Sequence, residues 1–424
     1  MDATPNTASP EHTDVAVVGA GPAGMLLAYL LARAGSRVTL LETHGDFERR
    51  YRGDTLSPAT LDLLDRLGLA DRLLATVAHT RSTSFRWHTV ERTYTLTDYT
   101  TASRRHPFYA LIPQPAFLGF LAEEAGQYPG FDLRMKARAS TLIHDCDGRI
   151  TGLTYTSGAT THTLTADLVV AADGRASKIR ALSGLPSTEL GVGNDLLWFD
   201  LPRDGDTDPA LSGLDIFCSP GRVLAALNQG HRWQLAFTIP TGSYARAREE
   251  GVEPVRTELR RHLPWLGDRI DELTSFSQLS LLTVRITRLP RWTRPGLLLI
   301  GDAAHVISPV GGSGINHALA DAVAAANHLV PALRQREPTA VDTAAKRVQQ
   351  HRKPVVDAAQ RQQSRIEIAT QRAMRRGEPR PALPLRLLSR IGAFARWSGR
   401  RTNTNVKTPA PAQHVLSPVT APEL

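Results

Sequence analysis

Three glycines in the run Gly19-Ala20-Gly21-Pro22-Ala23-Gly24 separate an apolar stretch at residues 15–18 from a second at residues 25–31. This predicts a strand, a tight turn and a helix start, with a second strand resuming at residues 36–42. The first glycine permits the turn, the second lets a pyrophosphate approach bare backbone, and the third lets helix and strand pack closely. Ala23 sits in the same turn, and the helix N-terminus behind it presents unpaired N–H groups and a positive dipole end to phosphate. Glu42 closes the second strand about twenty residues on, where a carboxylate binds both hydroxyls of an adenosine ribose. Together these features predict a dinucleotide site; the competing reading is a glycine cluster that serves only helix packing.

A second glycine-rich turn lies far along the chain. Residues 297–300 read as a buried strand running into Gly301-Asp302-Ala303-Ala304-His305. Pro309-Val310-Gly311-Gly312-Ser313-Gly314-Ile315-Asn316 follows, and then an Ala/Leu helix over residues 317–330. Asp302 is placed to accept a hydrogen bond from a ribityl hydroxyl, and the glycines admit a flat ring against the backbone. The helix after Gly314 offers N–H groups to a partly negative oxygen.

This pair of turns resembles the FAD-binding motifs of the class A flavoprotein monooxygenases, the p-hydroxybenzoate hydroxylase family. Gly301 through Asn316 matches that family's second motif, GDAAHxxxPxxGxGxN, without a gap. Residues 167–180, with Asp173-Gly174 followed by Ser177 and Arg180, resemble its middle motif. The resemblance implies that Asp173 and Gly174 lie on the pyrophosphate side. It also implies Arg52 on the cofactor, Gln114 on the ribityl chain and Pro309 beside the reactive edge of the flavin. Backbone at Ile315 and Asn316 would stabilise charge on the opposite edge. The implied fold is α/β: a Rossmann-like FAD-binding domain, an inserted and mainly antiparallel β substrate domain, and a C-terminal helical segment.

Along the chain, residues 1–12 are expected to be disordered. The FAD-binding domain is assigned to residues 13–80, 105–188 and 281–330, and the substrate sheet to residues 81–104 and 189–280. A helix is expected over residues 58–69 with Leu61, Leu64 and Leu67 on one face, and a single strand over residues 281–288. A basic helical segment over residues 331–401 and a disordered tail over residues 402–424 complete the assignment. On the sheet, Arg222 and Gln234 are the candidate polar contacts to substrate. The serine, arginine and tyrosine that hold a substrate carboxylate in the family's archetype find no match.

Composition narrows the function classes. The 424 residues are 42% hydrophobic and 21% charged, as in globular proteins of more than one domain. Two cysteines, Cys146 and Cys218, support neither a disulfide framework nor a thiolate metal site. The expected compartment is the cytoplasm, with no membrane insertion. Between Arg334 and Arg401 stand 17 Lys and Arg against 5 Asp and Glu, a surplus larger than the whole chain's +9. A solvated helical face explains it most simply, and an acidic carrier protein is the partner it would suit. Nucleic acid is disfavoured because aromatics are scarce there.

Ground-state oxygen does not attack aromatic carbon usefully, and no side chain supplies electrophilic oxygen; a flavin C4a-hydroperoxide does. The reading is an FAD-dependent monooxygenase that consumes NADH or NADPH and O2 and hydroxylates a phenol-like small molecule. A cyclase, isomerase or epoxidase on the same scaffold, a flavin halogenase and a non-catalytic flavin binder remain as alternatives. Within the second motif, His305 reads as structural.

Overall fold

The structure is a computed structural model that describes residues 11–48, 54–192, 194–205, 207–209, 211–308, 312–375 and 383–417. Its larger sheet has eight strands. Leu297–Leu299, Thr160–Ala171, Glu11–Val18, Val38–Leu41 and Phe131–Arg134 run parallel, in that spatial order. Residues 15–18 are apolar throughout because this central strand is covered on both faces. Val15, Val17, Val170 and Leu298 face helices Pro22–Arg33, Gln114–Gly126 and Gly314–Gln335. Ala16, Val18, Val169 and Leu299 pack on the other face with Trp292 and Val356.

A second sheet has seven strands in the order Ser280–Leu282, Asp195–Pro202, Arg232–Ile239, Arg222–Asn228, Leu214–Ser219, Ser84–His88 and Thr93–Asp98. All neighbours are antiparallel except Leu214–Ser219 and Ser84–His88. One face carries Leu197, Phe199, Leu201, Leu224, Trp233, Leu235 and Phe237, and helices Glu253–His262 and Pro264–Glu272 cover it with Val255, Leu259, Leu263 and Leu266. The other face carries Gln234, whose side chain meets Asp54 beside strand Thr55–Leu56.

Several expectations are corrected. Glu11 and His12 are strand, not disordered: they pair with Leu164 and Thr165, and Arg134 bonds the Glu11 carboxylate at 2.7 Å. The helix expected over residues 58–69 stops at Arg66; Gly68 turns with φ of 77° and a second helix, Ala70–Thr76, follows. The strand expected over residues 281–288 divides. Ser280–Leu282 stays in the seven-stranded sheet, while Arg285–Arg288 pairs with Thr188–Val192. The helix expected over residues 317–330 starts at Gly314 and runs through Pro331 to Gln335.

The tail expected to be disordered is structured as far as residue 417. Helix Gly392–Thr404 packs on strand Thr93–Asp98, where a Cβ at Gly399 would lie 2.0 Å from Asp98 O. Val406 and Val415 are buried, and Asn327 bonds Ala410 O and Ala412 N, each at 2.8 Å. Two buried valines and a double amide contact repay the ordering of this short strap. Helix Pro338–Arg375 is likewise not merely a solvated face, because Arg352 and Gln360 are completely buried. Among the described residues, no helix is long and apolar enough to cross a membrane.

Candidate active site

The first turn is shaped by close backbone approaches. Gly19 has φ of 99°, and a Cβ there would lie 2.5 Å from Ala172 O; one at Gly24 would lie 2.0 Å from Gly19 O. Gly21 is the N-cap of helix Pro22–Arg33 and supplies no side-chain cap, so the first-turn N–H groups stay available to an anion. Glu42 is buried, its carboxylate accepting Ala20 N at 2.9 Å and His44 N at 3.0 Å. That fixes the acidic group at the edge of the turn.

The second turn meets the first directly. A Cβ on Gly301, whose φ is 58°, would lie 3.1 Å from Cβ of Ala23. Asp302 is a half-buried rim residue paired with Arg175 Nε at 3.2 Å. Arg180 bonds Ala303 O at 3.0 Å and Arg175 O at 2.6 Å, joining this turn to the Asp173-Gly174 loop. The Asp173 carboxylate accepts Ser177 Oγ at 2.5 Å and Ile179 N at 3.0 Å, so it caps the helix behind the loop, and Gly174 turns with φ of 81°.

Gly312 has φ of 61°, and a Cβ on it would strike Thr55 Oγ1 at 2.2 Å. The fully buried Asn316 side chain binds this turn to strand Thr55–Leu56. Its Oδ1 accepts Ser57 N at 2.9 Å and Thr60 Oγ1 at 2.6 Å, while its Nδ2 donates to Gly312 O at 3.0 Å and Thr55 O at 3.2 Å. Gly314, Ile315 and Asn316 form the first helical turn, whose N–H groups have no intrahelical acceptor. Pro309, Gly311 and Arg52 lie outside the described residues.

Behind the second turn is a buried network that the sequence reading did not assemble. Asp321 Oδ2 accepts Gly301 N at 3.1 Å and contacts His305 Nε2 at 2.6 Å; Oδ1 accepts Arg352 Nε at 2.8 Å. His305 and Arg352 hold the Asp321 carboxyl well below the usual carboxylate range despite complete burial. Burial, reinforced by Arg352, pushes the neighbouring His317 down to about 3. Gln360 bonds Val306 O at 2.9 Å, and Gln363 bridges Ser308 N and Ser313 Oγ. His305 is thus a structural residue of the turn.

On the seven-stranded sheet the two candidates separate. Alternation puts Arg222 on the face of Leu224 and Ala226, covered by helices. Its guanidinium lies over the Phe237 ring and 3.4 Å from Pro254 O. Arg222 is therefore corrected from a substrate contact to an outer residue. Gln234 is on the opposite face, aligned with Asp200 and Leu227, and is buried; its Nε2 donates to Asp54 Oδ2 at 2.9 Å. Asp54 Oδ1 accepts the backbone N–H of the buried Gln114 at 3.2 Å. Burial raises Asp54 to about 6 against the opposing hydrogen bonds from Gln234 and Gln114.

These residues fit FAD. Gly19, Gly24, Gly301 and Gly312 let the two turns approach each other and their neighbours more closely than a Cβ allows, two helix N-termini open beside them, and Glu42 stands at the edge of the first turn. The FAD binding domain family matches residues 12–359. The chain is 36% identical over 391 residues to 6-methylpretetramide 4-monooxygenase of Streptomyces rimosus, covering 90% of each chain. It is 27% identical over 339 residues to phenazine 1,6-dicarboxylic acid hydroxylase PhzS of Lysobacter antibioticus, covering 75% of this chain and 82% of the relative. The fold is that of p-nitrophenol 4-monooxygenase PnpA from Pseudomonas putida DLL-E4. The TM-score is 0.70 at 20% identity, over 97% of this chain and all of that one. The chain belongs to the FAD binding domain family and is a class A flavoprotein monooxygenase, an FAD-dependent enzyme.

Proposed function

We propose that this enzyme hydroxylates a fused-ring aromatic compound bearing a phenolic hydroxyl, with NADH or NADPH as reductant, in the cytoplasm where both are supplied. The observation that carries this reading is the sheet face opposite Gln234's cofactor-domain partners. Trp198, Val223, Ala225, Leu227 and Ala236 share that face with the polar Asp200, Gln234 and Thr238. An apolar wall with a few polar groups suits a flat polycycle better than a small carboxylated ring. Relatives named for pretetramide, tetracycline and phenazine substrates support the same size class.

Bound and reduced, FAD would activate O2 and supply the electrophilic oxygen that the side chains lack. The protein's part is placement. Gly19, Gly21, Ala23, Gly24 and Glu42 would hold the adenosine diphosphate half, and Gly174, Asp302, Gly312 and Gly314 would border the ribityl and ring half. First-turn N–H groups of Ile315 and Asn316 would stabilise negative charge on the ring edge. The Asn316 side chain keeps that turn against Thr55, so the stabilising dipoles are fixed before any reaction. The sheet face that carries Gln234 would cover the bound ring and limit its contact with water.

The test is NADH and NADPH oxidation by FAD-loaded protein with and without fused-ring phenols, with products analysed by mass. Oxidation accelerated by such a phenol, and a product one oxygen heavier, are expected. Oxidation unaffected by every fused-ring phenol, or a rearranged product with no added oxygen, would sink the reading.

A further inference from the structure

Asp54 occupies an unusual junction. Its neighbour Thr55 rests on Gly312 of the second glycine turn, with Oγ1 donating to Gly312 O at 3.1 Å. Asp54 itself reaches the cofactor-facing side of the substrate sheet. One residue step thus links the ring-binding turn to the substrate wall. Around the Asp54 carboxylate stand two carboxamides. Gln234 Nε2 donates to Oδ2 at 2.9 Å, and Gln229 Nε2 lies 3.4 Å from both Asp54 Oδ2 and Gln234 Oε1.

The accounting of donors and acceptors is one-sided. Gln229 is buried, yet its Oε1 has no hydrogen-bond donor among the described residues. Asp54 Oδ1 has one partner, the Gln114 N–H, although a carboxylate oxygen accepts two. Among the described residues the cluster therefore holds more unmatched acceptors than donors, Gln229 Oε1 and Asp54 Oδ1 against the second N–H of Gln234 Nε2. A buried acceptor left unmatched is costly, so the group that completes the cluster carries an O–H or N–H.

We propose that Asp54, Gln229 and Gln234 form the hydroxyl-recognition end of the substrate site, with Asp54 as the base that takes the proton of the ring hydroxyl. This rests on the phenol hydroxylase reading above and names the residues that enforce it. In the step, the phenolic O–H bond breaks, its proton passes to a carboxylate oxygen of Asp54, and the electron pair remains on the ring oxygen. No electron is exchanged, and the added charge enriches the ring for attack by electrophilic oxygen. Asp54 returns the proton to solvent after turnover. A base whose affinity for protons lies near the operating pH suits this task, and burial moves Asp54 in that direction. Among the described residues, the charged groups acting on it are Asp200, which raises its proton affinity, and Arg232, which lowers it.

The test compares binding of 2-naphthol, naphthalene and 2-methoxynaphthalene to FAD-loaded protein by equilibrium dialysis from pH 5 to 8. The wild type should prefer 2-naphthol by at least about tenfold, as expected for a hydrogen bond to a charged acceptor. That preference should fall as pH is lowered through about 6, where Asp54 gains its proton. Asp54→Asn should keep its flavin spectrum and its affinity for naphthalene, while the preference drops several-fold and loses its pH dependence. Gln229→Leu should reduce the preference and retain the pH dependence, and Arg222→Ala, on the outer face, should change neither. A wild type that binds all three alike, or an Asp54→Asn protein with an undiminished, pH-dependent preference, overturns the assignment alone. A wild type that binds none of the three overturns the fused-ring reading and the assignment with it.

Discussion

The two glycine turns lie against one another at Ala23 and Gly301 but are kept in shape by different means. The first is self-contained. Gly19 and Gly24 press on backbone within the same βαβ unit and its neighbouring strand, and the nearest obstacles to a side chain are Gly19 O and Ala172 O. The second depends on distant parts of the chain. Thr55, Ser57 and Thr60 hold Asn316; Asp321 and Arg352 hold Gly301; Gln360 and Gln363 hold the stretch between. A turn defined by backbone sterics admits almost no variation. A turn defined by a ring of side chains should lose its shape by degrees, and its cofactor with it.

The largest effect should come from the self-contained turn. Gly24→Val places a branched side chain where a Cβ alone would approach Gly19 O to 2.0 Å, and the strand and helix cannot separate without losing their shared core. The expected product is colourless protein that takes up no FAD in an absorbance titration. Uptake at wild-type affinity would show that the turn is more pliant than its geometry states.

Next is the network behind the second turn. Arg352→Leu leaves Asp321 charged and fully buried with only His305 and the Gly301 N–H to meet it, and should cost about 3–5 kcal/mol in denaturant unfolding. The same network has a pH signature. Between its ordinary 6.5 and about 3, His317 stays neutral when folded but binds a proton when unfolded, so stability falls as pH drops across that window. Asp321 adds a further loss below its ordinary 3.8, because its carboxylate is favoured in the folded state. Melting temperature followed from pH 7 to 4 should decline, and His317→Phe should flatten the decline; an unchanged slope would remove His317 from the account.

Asn316→Ala should act more locally. Ser57 N loses its partner and Thr60 Oγ1 keeps only Ser57, at about 1–3 kcal/mol for a buried group left unmatched. The expected readout is FAD affinity weakened by about tenfold or more, with the fold retained by circular dichroism.

Much of this arrangement was legible in the sequence, and what was not follows a pattern. Gly19, Gly24, Gly301 and Gly312 stand out because positive φ or close approach demands glycine locally. Asn316 was marked for its backbone, whereas its side chain turns out to be the tie. The face of Arg222 is not legible in the sequence because both faces of its strand are apolar, with Leu224 and Ala226 on one and Val223, Ala225 and Leu227 on the other. Alternation separates two faces without saying which one the helices cover. Asp54 carries no sequence signal of its own beside Arg52, since only its contacts with residues 114, 229 and 234 give it meaning. The strap at residues 405–417 lacked any periodicity, and its anchors, Val406 and Val415, are isolated apolar residues among Pro, Thr and Ala.

The smallest expected effect is also the sharpest comparison between the turns. Gln363 touches the second turn only at its flank, where Nε2 donates to Ser313 Oγ at 2.7 Å and Oε1 accepts Ser308 N at 3.2 Å. Gln363→Leu removes these two hydrogen bonds and should cost about 1 kcal/mol in stability. If side chains alone hold this turn, even that loss should raise the FAD dissociation constant by about twofold to fivefold in a fluorescence titration. A stability loss with no change in FAD affinity would mean that Asn316 and Asp321 suffice to set the turn, and that helix Pro338–Arg375 supports the fold without shaping the site.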